Sequence, residues 1–304
     1  MKKTYHLCLS AGEEVMFRDL EDYNRGFNCF ALALYKTGST GLVEAIMSTH
    51  THQMVQTEYP DDFMHCYRLS YAKYFNCKYQ REGKLGEKNH FALDVVGYNH
   101  MIAAMSYTLR NALHHGVAPI PYAYPHSSVN AIFRAEMGKP PHENLLHPRY
   151  YHRYLGKAAV CPPGYKMSSS GVFLRETVLD IPQVESLFST PRAFNYYMTR
   201  KSSEEWLSEQ KKDNVALPPF TLESVESGVG MHSVDKMLRY ESGKADYRRI
   251  TDIELCTEID RRVREKLGRA SIYHLSDREK ITLAEELYHE YAVDPAKIKR
   301  CLVL

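Results

Sequence analysis

The stretch Leu42-Val-Glu-Ala-Ile-Met-Ser-Thr-His-Thr-His-Gln-Met-Val-Gln-Thr57 decides how this chain folds. Leu42 to Ser48 and His52 to Thr57 read as two strands joined tightly. Upstream, residues 4 to 10 alternate Tyr5, Leu7 and Leu9 with His6, Cys8 and Ser10, the period of a half-buried strand. A helix follows from about Asp19 to Tyr35, with Tyr23, Phe27, Phe30, Ala31 and Leu34 on one face and Gly38 just past its end. Downstream, Asp61-Asp62 cap a second helix that runs to about Tyr79 and ends near Gly83. Phe91 to Val96 form a fourth strand, and a third helix spans about Asn99 to His115, closed by Gly116.

The order β-α-β-β-α-β-α is a split βαβ, the ferredoxin-like (RRM-like) arrangement. It predicts an α+β fold in which one antiparallel sheet carries its helices on one face. At 304 residues the whole chain is long for one domain. A domain over residues 1–125, a middle region over 126–240 and a helical tail over 241–304 are therefore expected. In the middle region only a helix opening at Thr190-Pro191 is clear, among the proline pairs 140–141, 162–163 and 218–219. In the tail, Thr251-x-x-Glu254 and Ser276-x-x-Glu279 are capping boxes, and Asp294-Pro295 starts another helix. Ile281, Ala284, Leu287 and Tyr288 facing Ile298 and Leu302 resemble a helix-turn-helix presenting Lys297, Lys299 and Arg300 to DNA. A plain helical packing module fits the pattern equally well.

Charged residues make up 25% of the chain and hydrophobic ones 44%, which excludes collagen, coiled coil and wholesale disorder. The formal net charge of +2 does not announce a nucleic-acid binder. No apolar run approaches the roughly 18 residues of a membrane span. The N-terminal stretch is too short and polar for a signal peptide. Seven scattered cysteines, none in a C-x-x-C pair, point to neither a disulfide framework nor a zinc ribbon, so a reducing cytoplasm is expected. More unusual are 23 Tyr and 15 His against a single Trp.

His50-Thr51-His52 places two imidazoles on one side of a strand, where they can share a cation. With 15 His in the chain, chance alone gives roughly 0.7 such pairs, so the surrounding sequence has to carry the argument. In the third helix, Met101, Ile102, Met105, Leu109, Ala112 and Leu113 form an apolar stripe. Tyr107 and Asn111 lie nearly opposite it, four apart and so neighbours on one face. From His65 to His90, Arg68, Lys73, Lys78, Arg81, Lys84 and Lys88 interleave with Tyr67, Tyr71, Tyr74 and Tyr79, a combination suited to holding single strands. The spacing of Tyr67, Tyr71 and Tyr74 also fits a core stripe.

Several blocks are similar to one family. Met47-Ser-Thr-His-Thr-His-Gln-Met-Val55 resembles the "M-P-x-H-V-H-L-L-V" strand of single-tyrosine HUH transposases, especially the REP-associated tyrosine transposases. Tyr71-Ala-Lys-Tyr-Phe-Asn-Cys-Lys-Tyr-Gln-Arg-Glu-Gly-Lys-Leu85 resembles that family's "Y-A-R-Y-x-N-R-R-Y-x-R-x-G-x-L" segment. Tyr107-Thr-Leu-Arg-Asn111 with His114-His-Gly-Val117, and then Tyr124-Pro-His-Ser-Ser128, resemble its next two blocks in order, so the likeness extends over residues 1 to about 133. Thr51, Gly86, Ala112 and His126 depart from the pattern, which has a hydrophobic residue, Trp, Pro and Trp there.

The resemblance implies that Tyr107 is a nucleophile and that His50, His52 and Asn111 hold Mg²⁺ or Mn²⁺. The reaction implied is cleavage and rejoining of single-stranded or hairpin DNA through a 5′-phosphotyrosine. A phenol, with a pKa of about 10, needs such assistance at neutral pH. The family can place the tyrosine helix on a partner subunit, so a homodimer stays open. Two other readings also remain: a domesticated, catalytically weak DNA-binding protein, and an unrelated metal-dependent hydrolase.

Overall fold

The computed structural model describes residues 2–12, 14–87, 89–142, 144–156, 159–199, 208–213 and 250–304. Lys88, Pro218-Pro219, residues 200–207 and 214–240 of the expected middle region and the start of the expected tail lie outside the described residues.

The first third follows the expected order: β1 (Lys3–Ser10), α1 (Leu20–Lys36), β2 (Thr40–Ile46), β3 (His50–Thr57), α2 (Pro60–Tyr79), β4 (Phe91–Asp94) and α3 (Tyr98–His114). The fold is α+β, with one four-stranded antiparallel sheet ordered β2-β3-β1-β4. Asp19 caps α1 by accepting from the Asp22 amide. Pro60 occupies the first turn of α2, where its missing N–H costs nothing.

Strand alternation sorts the sheet into two faces. Opposed residues on antiparallel strands share a face, so Leu7, Leu9, Thr51 and Val55 lie on one side and His6, Cys8, His50 and His52 on the other. The first face meets α1 and α2: Phe27, Phe30, Phe63, Tyr67, Tyr71 and Phe75 are all buried in the main core. The Tyr67 phenol, pushed up by burial, sits against Thr51 and Gln53 of β3. Thr51 is thus packed away from the histidines, as strand geometry requires. Tyr74 is only partly buried, and its hydroxyl donates to Asp22.

The helices do not all lie on one face. α3 crosses the histidine side, where Tyr107 touches the rings of His6 and His52. The βαβ crossovers account for α1 and α2 only. α3 follows the last strand and is free to cover the remaining face. Its own surface is covered in turn, because every residue from Ile102 to Ala112 is buried. The single apolar stripe read from the sequence therefore understates the burial, and Tyr107, at 8% exposure, belongs to the core rather than to solvent.

Packing does not break at residue 125. Ser127 bridges to Ala45 on β2, and Ser128 Oγ accepts from the Glu44 amide. After β5 (Leu145–Leu146), α4 (His152–Leu155), β6 (Met167–Ser168) and α5 (Arg175–Val178), α6 (Ile181–Phe188) and α7 (Pro191–Thr199) return Val184, Phe188 and Phe194 to the same core.

At the C-terminal end, α8 (Asp252–Glu265) and α9 (Asp277–Tyr291) open on the two capping boxes, and α10 (Pro295–Leu302) follows. They form a second core around Leu255, Ile259, Leu283, Leu287 and Ile298, to which Val15 contributes from the N-terminal part. Buried Arg18 ties the two cores together, donating to Asp260 Oδ1 at 2.7 Å and to the Cys301 carbonyl at 2.8 Å. The inward stripe of α9 is Leu283 and Leu287. Ile281 and Tyr288, expected to face α10, stand 51% and 42% exposed.

Candidate active site

The histidine pair opens β3, and alternation puts both rings on the α3 face, with centroids 4.9 Å apart. Both residues are 1% exposed. The β1–β3 register sets Cys8 opposite His52 and Ser10 opposite His50. His6, two residues before Cys8, joins the same face, its ring centroid 5.2 Å from that of His52 with the two ring planes 18° apart.

α3 lies across this polar patch. The Tyr107 ring stands edge-on to His52 at 5.4 Å and to His6 at 6.1 Å. Two turns further along, the His115 ring approaches His50 at 5.1 Å. Asn111 lies one turn from each and so faces the same patch. Its side chain is fully buried, and neither Oδ1 nor Nδ2 has a hydrogen-bond partner among the described residues. A buried amide without partners costs about 1–3 kcal/mol, so it asks for a ligand. An amide oxygen beside two imidazoles is a donor set that suits a divalent ion. By this test the residues fit the metal that the sequence resemblance implies.

Burial also sets the charge of two imidazoles on this face. Burial holds the His52 imidazole well below its usual range, and charge on His50, His6, His115 and His114 would push it lower still. His6 is held down to about 3 by burial, with a contribution from His100. Both rings are therefore neutral at physiological pH, the form in which imidazole binds metal.

The expected DNA contacts fare unevenly. α2 lies across the sheet from the histidines, so most of its cations are far from Tyr107. Lys78 is occupied by Asp19 and Asp22, and Arg81 by Glu14 and Asn76. Arg68 donates to the Glu87 carbonyl, and Lys73 and Lys84 stand exposed. The loop after α2 does reach the site. Glu87 N–H donates to the Ser10 carbonyl at 2.8 Å, beside His50, which brings the Lys84 loop to that end of the sheet. Gly86 needs its lack of a side chain here: its φ is +75°, and a Cβ would sit 2.6 Å from the Ser10 carbonyl oxygen. In α10, Arg300 does not face DNA as expected. It is buried and donates to Asp252 at 2.7 Å. Lys297 donates to the Ile250 carbonyl, and only Lys299 of these three is exposed.

Local sequence pattern does not place His6, Cys8, His114 and His115 at this site. The signal for the first two was present, since the alternation of β1 puts them on one face. Only the strand register brings that face to His52.

No protein-family model matches the chain, and no curated protein matches it. Among solved structures it is similar to a REP-associated tyrosine transposase bound to a REP hairpin, at 12% identity and a TM-score of 0.38, over 46% of this chain and 84% of that one. A likeness at that level leaves the chemistry of this chain to its own residues. Among the described residues no helix is long and apolar enough to cross a membrane.

Proposed function

We propose that this protein is a DNA strand-cleaving and strand-joining enzyme of the single-tyrosine HUH type, acting on single-stranded or hairpin DNA. The observation that carries the reading is Tyr107 edge-on to His52, with the buried, unpartnered amide of Asn111 one turn away. The sequence blocks around His50, Tyr71, Tyr107 and Tyr124 support it independently.

Tyr107 Oη attacks a backbone phosphorus, an O–P bond forms, and the bond to the 3′-oxygen breaks. The phenol proton leaves Tyr107 and the departing oxygen gains one, so the exchange consumes nothing and can be reversed by another 3′-hydroxyl. His114, stacked on the Tyr107 ring at 5.5 Å, fixes its orientation. Burial of the pocket excludes water that would otherwise compete for the phosphotyrosine. His50, His52 and Asn111 would hold Mg²⁺ or Mn²⁺, which would offset the charge developing on the phosphate. Exposed Lys84, on the loop that reaches the His50 end of the sheet, supplies phosphate neutralisation there.

The test is incubation of the full chain with single-stranded hairpin DNA and Mn²⁺, followed by denaturing electrophoresis. A covalent protein–DNA adduct that disappears in Tyr107→Phe is the expected result. DNA binding without adduct would favour the catalytically weak alternative, which the burial of Tyr107 also suits.

A further inference from the structure

We infer that His6, Cys8 and His52 form a thiolate-containing site for a soft divalent transition ion of the zinc class, separate in ligand chemistry from the His50, His52 and Asn111 set. Cys8 Sγ lies 2.9 Å from His52 Nδ1 and 3.9 Å from His6 Nε2, and the two nitrogens are 3.2 Å apart. Tetrahedral zinc, with bonds of about 2.0–2.3 Å, holds neighbouring N and S donors roughly 3.3 to 3.6 Å apart. The observed spacings bracket that range, and one donor atom from each residue falls within a single 4.8 Å cluster.

The scaffold holds the three donors in fixed positions. All three side chains are 0–1% exposed. They sit on β1 and β3, the two inner strands of the sheet, so strand geometry and not loop closure sets their separation. Three protein ligands leave a fourth position of a tetrahedral ion open, and the Tyr107 ring stands edge-on to both histidines of the cluster.

The donor types choose the ion. A thiolate with two imidazoles selects zinc over magnesium or manganese, which prefer oxygen. On binding, the Cys8 thiol proton passes to solvent and an S–metal bond forms, with no change of oxidation state. His52 presents Nδ1 to this cluster, which leaves only Nε2 for the His50 side. The inference does not rest on the strand-transfer reading, because the donors are in place whatever reaction Tyr107 performs.

Cobalt titration of the chelator-stripped full-length protein provides the test. One equivalent of Co²⁺ should give a near-ultraviolet thiolate-to-metal band together with tetrahedral visible bands, and Zn²⁺ should displace it. Cys8→Ser and His6→Gln should abolish the band or weaken Zn²⁺ binding by more than about 100-fold, while His50→Gln should retain it. X-ray absorption of the zinc-loaded wild type needs no variant and should show one sulfur in the first shell. A cobalt spectrum without the thiolate band, a band that survives Cys8→Ser, or a shell without sulfur would overturn the site. The hydrogen-bonded triangle would then serve only to orient His52. No DNA cleavage is read, so failure of the proposed reaction leaves this result standing.

Discussion

The Tyr107 ring stands at 89° to the His52 ring with centroids 5.4 Å apart, although 55 positions of sequence separate the two residues. Tyr107→Phe removes the phenol oxygen while keeping the ring contacts to His6, His52 and His114. Adduct formation should fall by at least about 10³-fold. Adduct yield on denaturing gels measures it, and undiminished yield would remove Tyr107 from the reaction.

Asn111 offers a separation of function from stability. Its amide is buried and unpartnered among the described residues, so Asn111→Leu, close in volume, removes a desolvation cost. The variant should be as stable as the parent or more so, by up to about 1–2 kcal/mol, while Mn²⁺-dependent cleavage drops sharply. A destabilised variant would show that the amide has a structural partner instead.

Acid should unfold the protein through its buried histidines. Burial holds both His6 and His126 down to about 3, with charge on His100 and Arg175 respectively adding to the effect. Unfolded, each titrates near 6.5. Because the folded values are depressed, the stability they contribute is complete above about pH 6.5 and is lost as pH falls toward 3. The slope is about 1.4 kcal/mol per pH unit for each ring. Urea melts between pH 7 and 4 in the presence of chelator should show it, and His126→Phe should flatten the slope by about one histidine. An unaltered slope in that variant would place the acid sensitivity elsewhere.

Arg18 and Asp260 hold the C-terminal helices against the N-terminal sheet through a buried pair at 2.7 Å. Asp260→Ala strands the guanidinium and should cost about 3–5 kcal/mol. Arg18→Met combined with Asp260→Leu should cost far less, since no charge is left buried. Equal losses in the single and double variants would contradict this account.

Gly86→Ala should destabilise by about 1–3 kcal/mol, because it combines a left-handed backbone with a clash against the Ser10 carbonyl. Ser10 pairs with His50, so metal affinity should weaken along with stability. Thermal melts and metal titrations on the same variant test both, and a neutral substitution would mean that the loop relaxes freely.

The sequence by itself determined the elements of the first third, the two capping boxes, and the placement of His50 and His52 on one strand face. These follow from backbone geometry, in which periods of 3.6 and 2 residues and local caps act over a few positions. Tertiary structure alone decided the rest. The register that sets Cys8 against His52 depends on how two distant strands match their buried faces. The placement of α3 opposite α1 and α2, which buries Tyr107 against the histidines, depends on which sheet face remains uncovered. Arg300 turns inward while Ile281 turns outward because Asp252 and the Leu283–Leu287 stripe, and not helix periodicity alone, settle the rotation of α9 and α10. Such choices are made by packing between segments far apart in the chain, which no local pattern encodes.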